Sequence, residues 1–261
     1  MNGKSVRKSD GSAGDADYSL IGAGYGKYRQ AEPLIGARIR TALGGARTIL
    51  NVGAGSGSYE PVDREVTDVE PAESMRAQRP THLAKAIWAV AEALPFPNRQ
   101  FDASLSTFSV HQWQNLKKGL GEMRRVTRGP VLILTCDPEA LDCFWLTQYA
   151  PKVIATEARR YPPIRLIASA LGENTEVWPV AIPLNCRDGF NEAYYGRPEM
   201  ILRPEARQAC SAWSFLDPCE VEQFVEKLSH DLASGIWDKQ FGKLRTQPEL
   251  QGSLRLIVGR D

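Results

Sequence analysis

Long apolar runs, histidine, paired-cysteine spacings and an excess of charge of either sign are all scarce in this chain. No stretch approaches the roughly 20 consecutive apolar residues that span a bilayer, so no membrane partner is expected. The 32 basic and 31 acidic residues leave a net charge of +1. That balance offers no electrostatic footprint to a nucleic acid or an anionic membrane surface. Only three histidines occur, His82, His111 and His230, which argues against a histidine-rich metal site. The five cysteines (Cys136, Cys143, Cys186, Cys210, Cys219) are odd in number and lack CxxC spacing, so free thiols in a reducing cytoplasm are expected, with no zinc and no metal cofactor. The first 17 residues are rich in Gly, Ser, Asp and Lys and contain no apolar h-region. They read as a disordered tail and not as a signal peptide.

What is present is a globular composition, 43% hydrophobic and 24% charged, over 261 residues. This suffices for one large domain with an insertion. Helical apolar spacing over Pro33–Leu43 stops at Gly44-Gly45, and the strand-like run Thr48–Val52 follows. Further strands are expected at Arg64–Val69, at Trp88–Val90 (a poor candidate), at Phe101–Phe108 and at Val131–Thr135. Helices are expected at Pro71–Arg79 and Lys117–Val126. Two more strands, Glu176–Ile182 and Ser253–Val258, flank about 70 largely helical, aromatic-rich residues. A loop of that length should carry its own structure, so a lid is expected. The alternation predicts an α/β fold with a doubly wound parallel sheet. Residues 18–261 are expected to form a single domain, with helical cap or lid segments at about 138–172 and 184–248.

The first chemical signal is Ile49 to Gly57, a buried strand running into Gly53, Gly55 and Gly57. Alternate glycines let backbone approach a ligand closely, although a plain tight turn has the same composition. The spacing is GxGxG, unlike the GxGxxG that seats a pyrophosphate on a helix N-terminus. About 20 residues on stand Asp68 and Glu70, where a carboxylate can accept bonds from both ribose hydroxyls of a nucleoside.

With these residues in view, the chain resembles the class I S-adenosylmethionine-dependent methyltransferases of the small-molecule type. Asn51 to Gly57 (with Gly53, Ala54 and Gly55) resembles their first motif, although the usual leading Asp or Glu is Asn51 here. Val69-Glu70-Pro71-Ala72-Glu73-Ser74-Met75 resembles the second-strand block, which makes Glu70 the ribose ligand and adds Pro71 and Met75 to the cofactor site. Ala89-Val90-Ala91-Glu92-Ala93-Leu94-Pro95-Phe96 resembles the adenine block. Because Val90 stands where an Asp is common, the adenine amine falls to backbone groups or Glu92. Gly121–Val126 and Gly129–Leu132 resemble the helix and strand that follow. The resemblance implies a Rossmann-like, seven-stranded sheet of order 3-2-1-4-5-7-6 with helices on both faces and a mainly helical lid, and a bound S-adenosyl-L-methionine.

Ser106 to Trp113 follows the fourth expected strand, where the family lines its methyl-transfer pocket; Thr107 is thereby placed at the cofactor. The Asn/Asp-Pro-Pro-aromatic motif of enzymes that methylate nucleic acid bases is missing there, which favours a small-molecule substrate. His111 is a candidate base, a positioning group or a core residue; Trp113 is a stacking surface or core. In related enzymes an N-terminal segment folds over the cofactor. Tyr25, Tyr28 and Arg29 are candidates for that role, Arg29 for the cofactor's carboxylate, with an ordinary helix start as the alternative. Tyr149, Tyr161, Tyr194, Tyr195 and Trp213 are either substrate-pocket residues or the lid's own core. The expected activity is methyl transfer to an O, N or C nucleophile of a metabolite by a monomer or homodimer. The alternatives are cyclisation or decarboxylation with the same cofactor, a NAD-dependent oxidoreductase, or a non-enzymatic interaction protein.

Overall fold

A computed structural model describes residues 25–260. The expected tail, and the part of the aromatic block before Tyr25, lie outside the described residues.

Helix α1 (Tyr25–Tyr28) is a single turn and α2 (Pro33–Leu43) is the first full helix. Its bounds follow from its ends. Pro33 sits where no N–H is needed, the Glu32 side chain accepts from the Leu34 N–H at 3.2 Å, and Gly44 at φ 55° ends the run. Strands β1 (Thr48–Val52), β2 (Glu65–Val69), β3 (Ala103–Thr107) and β4 (Val131–Cys136) then form parallel ladders. Between them run α3 (Glu73–Ala77) and α4 (Leu116–Val126), the latter capped by the Asn115 side chain on the Lys118 N–H. After α5 (Pro151–Arg160) and α6 (Ile164–Leu171) come β5 (Thr175–Pro179) and a two-residue β6 (Ile182–Pro183). Helices α7 (Pro204–Gln208), α8 (Pro218–Ala233) and α9 (Ile236–Phe241) precede β7 (Glu249–Leu250) and β8 (Leu254–Gly259).

The main sheet has six strands in the order β2-β1-β3-β4-β8-β5, with β8 antiparallel to both neighbours. This is the expected Rossmann-like fold less one edge strand, and the expected seven strands are corrected to six. Outside β2 only a single bridge forms, Val69 to Ile87. A turn closed by the Ala93 N–H on the Val90 carbonyl at 3.1 Å then takes the chain away before a second rung can form. The expected strand Glu176–Ile182 is also divided. Val180 still donates to the Leu254 carbonyl, but Ile182 and Pro183 leave the sheet and pair with β7.

Alternating side chains build two cores. Ile49, Leu105, Leu132 and Leu256 face α2 and the cap, whereas Leu50, Val131, Ile133 and Ile257 face α4 and α6. Helix α6 falls within the first expected lid segment, but its Ile167 and Leu171 pack on the face opposite the cap. The cap's aromatics form one continuous core with the sheet. Trp145 meets Trp237 edge-on at 5.6 Å, and Trp213 packs on Phe224 at 4.7 Å. Among the described residues no helix is long and apolar enough to cross a membrane.

Candidate functional site

The carboxyl ends of β1, β2 and β3 open onto a cavity of about 560 Å³, inside the range of small-molecule sites. Its wall has three groups of residues, each held together by its own contacts.

The central group is the glycine turn and Glu70. Gly53 and Gly55 have φ of 71° and 53°, which L side chains adopt at a cost. A Cβ on Gly53 would also stand 1.9 Å from Ser109 Oγ. The Gly53 and Ala54 N–H groups donate to the Val69 carbonyl, at 2.9 and 3.0 Å, and so lock the turn to the end of β2. Glu70, 7% exposed, accepts from the Gly55 N–H on one oxygen (2.9 Å) and from the Ala72 N–H on the other (2.8 Å). Burial pushes its carboxyl up from the usual range, and those two N–H groups pull it back. Pro71 and Met75 complete this part of the wall.

The second group is Ala89–Glu92 with Trp113–Asn115 and Lys118. Glu92 accepts from the Asn115 N–H at 2.9 Å, which ties the loop to the start of α4. Arg125 on α4 fastens the same loop further on, donating to the Leu94 and Phe96 carbonyls. Trp113 lies on Gly119 and donates to Ser109 Oγ at 3.0 Å.

The third group joins three distant segments. Arg29 Nε donates to Asp188 Oδ1 at 2.5 Å, and the Tyr59 hydroxyl donates to Asp188 Oδ2 at 3.0 Å. The guanidinium lies over the Phe108 ring at 5.1 Å. Burial first, and the Asp188 carboxylate second, hold the Tyr59 hydroxyl well above its usual range, so it stays a donor. The Arg29 backbone pairs with Asp188, the Gly189 N–H donates to the Tyr28 carbonyl at 2.7 Å, and Ser58 Oγ donates to the Arg29 carbonyl.

Of the residues the sequence assigns to the cofactor, Gly53, Ala54, Gly55, Glu70, Pro71, Met75, Ala91, Glu92, Thr107 and Arg29 all line this cavity. Four do not. Asn51 is buried and donates to Asp68, Gly57 packs on Leu83, Tyr28 contributes only its backbone, and Ala93 turns back on Val90. Of the substrate candidates Trp113 lines the wall. Tyr149 instead bonds Asp231 and abuts Trp145, Trp213 donates to Asn191, and the Tyr194 ring meets Arg197. The side chain of Tyr25 lies outside the described residues. His111 is buried and not in the wall, although Ser109 and Gln112 beside it are. Its ring packs on Tyr161 at 4.6 Å and its Nδ1 has no hydrogen-bond partner. Burial, then the charges of Arg160 and Arg29, hold its pKa well below the ordinary histidine value. Phe108 belongs to the Ser106–Trp113 segment expected to line the pocket, whereas sequence reasoning missed Tyr59 and Asp188. Of these two only Tyr59 carried a signal, its place just after the glycine turn.

The wall fits an adenosyl cofactor. Glu70 keeps a lone pair on each oxygen for a ribose hydroxyl, and the Gly53–Gly55 turn lines the same cavity beside it.

A methyltransferase domain model matches residues 50–133, from β1 through β4. A protein of Anabaena variabilis, described as a methyltransferase of an antibiotic biosynthesis pathway, is 28% identical with a TM-score of 0.82, over 89% of this chain and 99% of its own. A SAM-dependent methyltransferase of Thermotoga maritima shares the fold at 15% identity and a TM-score of 0.54, over 91% and 92% of the two chains. The YcgJ protein of a Bacillus species does so at 19% and 0.51, over 87% and 97%. No curated protein matches the sequence. The glycine turn and the acidic residue closing β2 thus lie within the residues matched by the methyltransferase domain, and the chain shares its fold with S-adenosylmethionine-dependent methyltransferases.

Proposed function

We infer that the protein transfers a methyl group from S-adenosyl-L-methionine to an O, N or C nucleophile of a small-molecule metabolite. The observation that carries this is Glu70, a buried carboxylate fixed by two backbone N–H groups beside a glycine turn in one cavity. When bound, the cofactor supplies the electrophile, a methyl group on a sulfonium, and leaves as a neutral thioether. The protein's own residues then have to bind, orient and exclude water, and positioning of that kind can supply roughly 7–11 kcal/mol of a barrier. Glu70 takes the ribose hydroxyls, the Ala89–Glu92 loop and Trp113 take the adenine, and Thr107 and Phe108 close the wall at the end of β3.

The small-molecule reading is supported by the near-neutral charge, by the missing Asn/Asp-Pro-Pro-aromatic motif and by the antibiotic-pathway description of the Anabaena protein. His111 suits a positioning or packing role better than a base, because it is buried outside the wall and its pKa is depressed. The cap at 184–248 reaches the cavity through Asp188, so it acts as a fixed roof that contributes this one residue.

The test is calorimetric titration with S-adenosylmethionine and NAD on the wild type and Glu70→Ala, followed by a metabolite screen that reads S-adenosylhomocysteine. Binding of the former alone is expected. A carboxylate bond contributes about 1.5–3 kcal/mol, so Glu70→Ala should weaken binding from tenfold to a few hundredfold. Unchanged affinity in Glu70→Ala, or turnover without S-adenosylhomocysteine, would overturn the reading.

A further inference from the structure

Asp188 lies in the cap, 159 residues from Arg29 in the chain, yet it is 1% exposed and forms part of the cavity wall. Methyl transfer to an oxygen or nitrogen that carries hydrogen releases a proton, and a group in the wall can receive it. His111 is outside the wall. Among the described residues the carboxylates of the wall are Glu70, Glu92 and Asp188. Glu70 is held by the Gly55 and Ala72 N–H groups and assigned above to the ribose, and Glu92 holds the start of α4. Asp188 remains.

Its carboxylate is fixed from two sides, by Arg29 Nε on Oδ1 at 2.5 Å and by the Tyr59 hydroxyl on Oδ2 at 3.0 Å. The Glu32 N–H donates to the same hydroxyl at 3.3 Å, which turns the Tyr59 proton toward Asp188. Each Asp188 oxygen has a second lone pair for a further bond. Beside it stand two aromatic wall residues with left-handed backbone, Tyr59 at φ 62° and Phe108 at φ 49°. Bulky residues adopt that region at a cost, and such strain persists where the surrounding fold imposes it, commonly at working sites. The two rings lie 6.4 Å apart, and Phe190 of the cap backs Phe108 at 5.3 Å. The wall next to Asp188 is therefore aromatic.

We propose that Asp188 is a catalytic residue that accepts the hydrogen bond of a phenolic hydroxyl on the acceptor and takes its proton, with the Tyr59 and Phe108 rings beside the acceptor's ring. The proposal rests on the methyl-transfer reading above and narrows its acceptor to oxygen. In this step an oxygen lone pair forms the bond to the methyl carbon. The carbon–sulfur bond breaks with its electron pair passing to sulfur, and the O–H bond breaks as the proton passes to a free lone pair of Asp188. Charge and basicity decide the class. The Arg29–Asp188 pair is neutral as a whole, so an uncharged donor approaches it without leaving a net buried charge, whereas an ammonium group would leave one. A carboxylate is a weak base, so it calls for a hydroxyl that ionises at about pH 10, as a phenol does, and not for an alkyl alcohol. Aromatic walls match such an acceptor by offset or edge-on contact.

The experiment measures S-adenosylhomocysteine formed from S-adenosylmethionine with phenol and with 4-nitrophenol at about pH 9. Phenol is still mostly protonated there, whereas 4-nitrophenol is already ionised and has no proton to give up. The wild type is expected to methylate both. Asp188→Asn should lower the phenol rate by roughly a hundredfold or more, the usual size of a general-base contribution, and the 4-nitrophenol rate by less than about threefold. Equal losses on the two acceptors would mean a merely structural role and would overturn the proposal, as would an unchanged phenol rate. Should Asp188→Asn fail to fold, Tyr59→Phe decides by the same comparison, with a larger loss on phenol than on 4-nitrophenol expected and equal losses or none overturning the proposal. A wild type that binds S-adenosylhomocysteine by calorimetry but leaves phenol unmethylated overturns the acceptor assignment alone. One that binds no S-adenosylhomocysteine overturns the cofactor reading as well, and so the two failures are told apart.

Discussion

Asn51 and Asp68 face each other as register partners across β1 and β2, and the Asn51 side-chain amide donates to Asp68 Oδ1 at 2.9 Å. Arg79 Nη2 reaches Asp68 Oδ2 at 2.9 Å and Glu60 Oε2 at 2.7 Å. Two buried carboxylates therefore share one guanidinium and one amide beneath the glycine turn. An acid at position 51 would be a third carboxylate with no further cation, which accounts for the neutral residue. Asn51→Asp should then destabilise the protein by about 1–3 kcal/mol at pH 8, where the amide donor is replaced by a repelling charge. Chemical denaturation checks this, and equal stability of the two proteins would refute it.

The same cluster predicts a pH dependence. Burial first, and the neighbouring Glu60 second, raise Asp68 to about 7. The folded-state value thus lies above the unfolded one near 4. Between those values the folded protein holds a proton that the unfolded chain has released. This contribution to stability is fully present below about pH 4 and is lost as the pH rises through about 7. The stability difference between wild type and Asp68→Asn should therefore shift against the wild type from pH 5 to pH 8. A difference that stays constant over that range would show that Asp68 does not titrate there.

His111 predicts the opposite sign. Its folded-state value is depressed, chiefly by burial, so the unfolded chain takes up a proton first as the pH falls below about 6.5. Its neutral form contributes stability above that pH, and the contribution is lost on acidification. The ring resonances of His111, assigned by comparison with His111→Asn, should show no titration between pH 6 and pH 8 by NMR. A midpoint near 6.5 would place the ring in contact with solvent.

The cap aromatics separate a core from a pocket. Trp213 is 5% exposed, packs on Phe224 and donates to Asn191 Oδ1 at 2.9 Å. Trp213→Ala should cost about 3–5 kcal/mol, as for other large-to-small core changes, and leave S-adenosylhomocysteine affinity unchanged wherever the variant remains folded. Weakened binding with unaltered stability would return Trp213 to the site.

Local signals were legible in the chain and distant pairings were not. The bounds of β1 and α2 follow from their residues alone, because a β-branched and apolar run ends at a glycine turn, and Pro33 and Gly44 punctuate the helix. The expected strand at Trp88–Val90 had apolar residues too, but Trp88 is 68% exposed and only Ile87 bridges to the sheet. Apolar character there reflects a loop along a sheet edge, which composition does not distinguish from a strand. Glu70 was legible because it ends the strand that follows the glycine turn, a position set by sequence order even though residues 53–64 join the two strands without a helix. Asp188 was not, since its partners Tyr59 and Arg29 are 129 and 159 residues away and only the folded cap brings them together. The aromatics Tyr149 and Trp213 look alike as pocket or core, and only their packing separates the two.

Gly119 offers a way to move the cavity wall from behind. It lies in α4, and a Cβ there would stand 2.6 Å from Trp113 Cε3 and 2.9 Å from Cζ3. Ala91, the next neighbour at 3.2 Å, belongs to the adenine loop. Alanine is otherwise favoured over glycine within a helix by about 1 kcal/mol, so backbone propensity opposes any loss of stability. The indole must shift away from α4, and its bond to Ser109 Oγ at 3.0 Å stretches or breaks. Gly119→Ala should therefore weaken S-adenosylhomocysteine and 5′-methylthioadenosine alike, by about tenfold for each 1.4 kcal/mol of binding energy removed, while the melting temperature changes little. That shared effect would mark the Trp113 side of the cavity as the adenine side, because 5′-methylthioadenosine lacks the amino-acid end. Weakening confined to S-adenosylhomocysteine would reverse the orientation assigned to the cofactor.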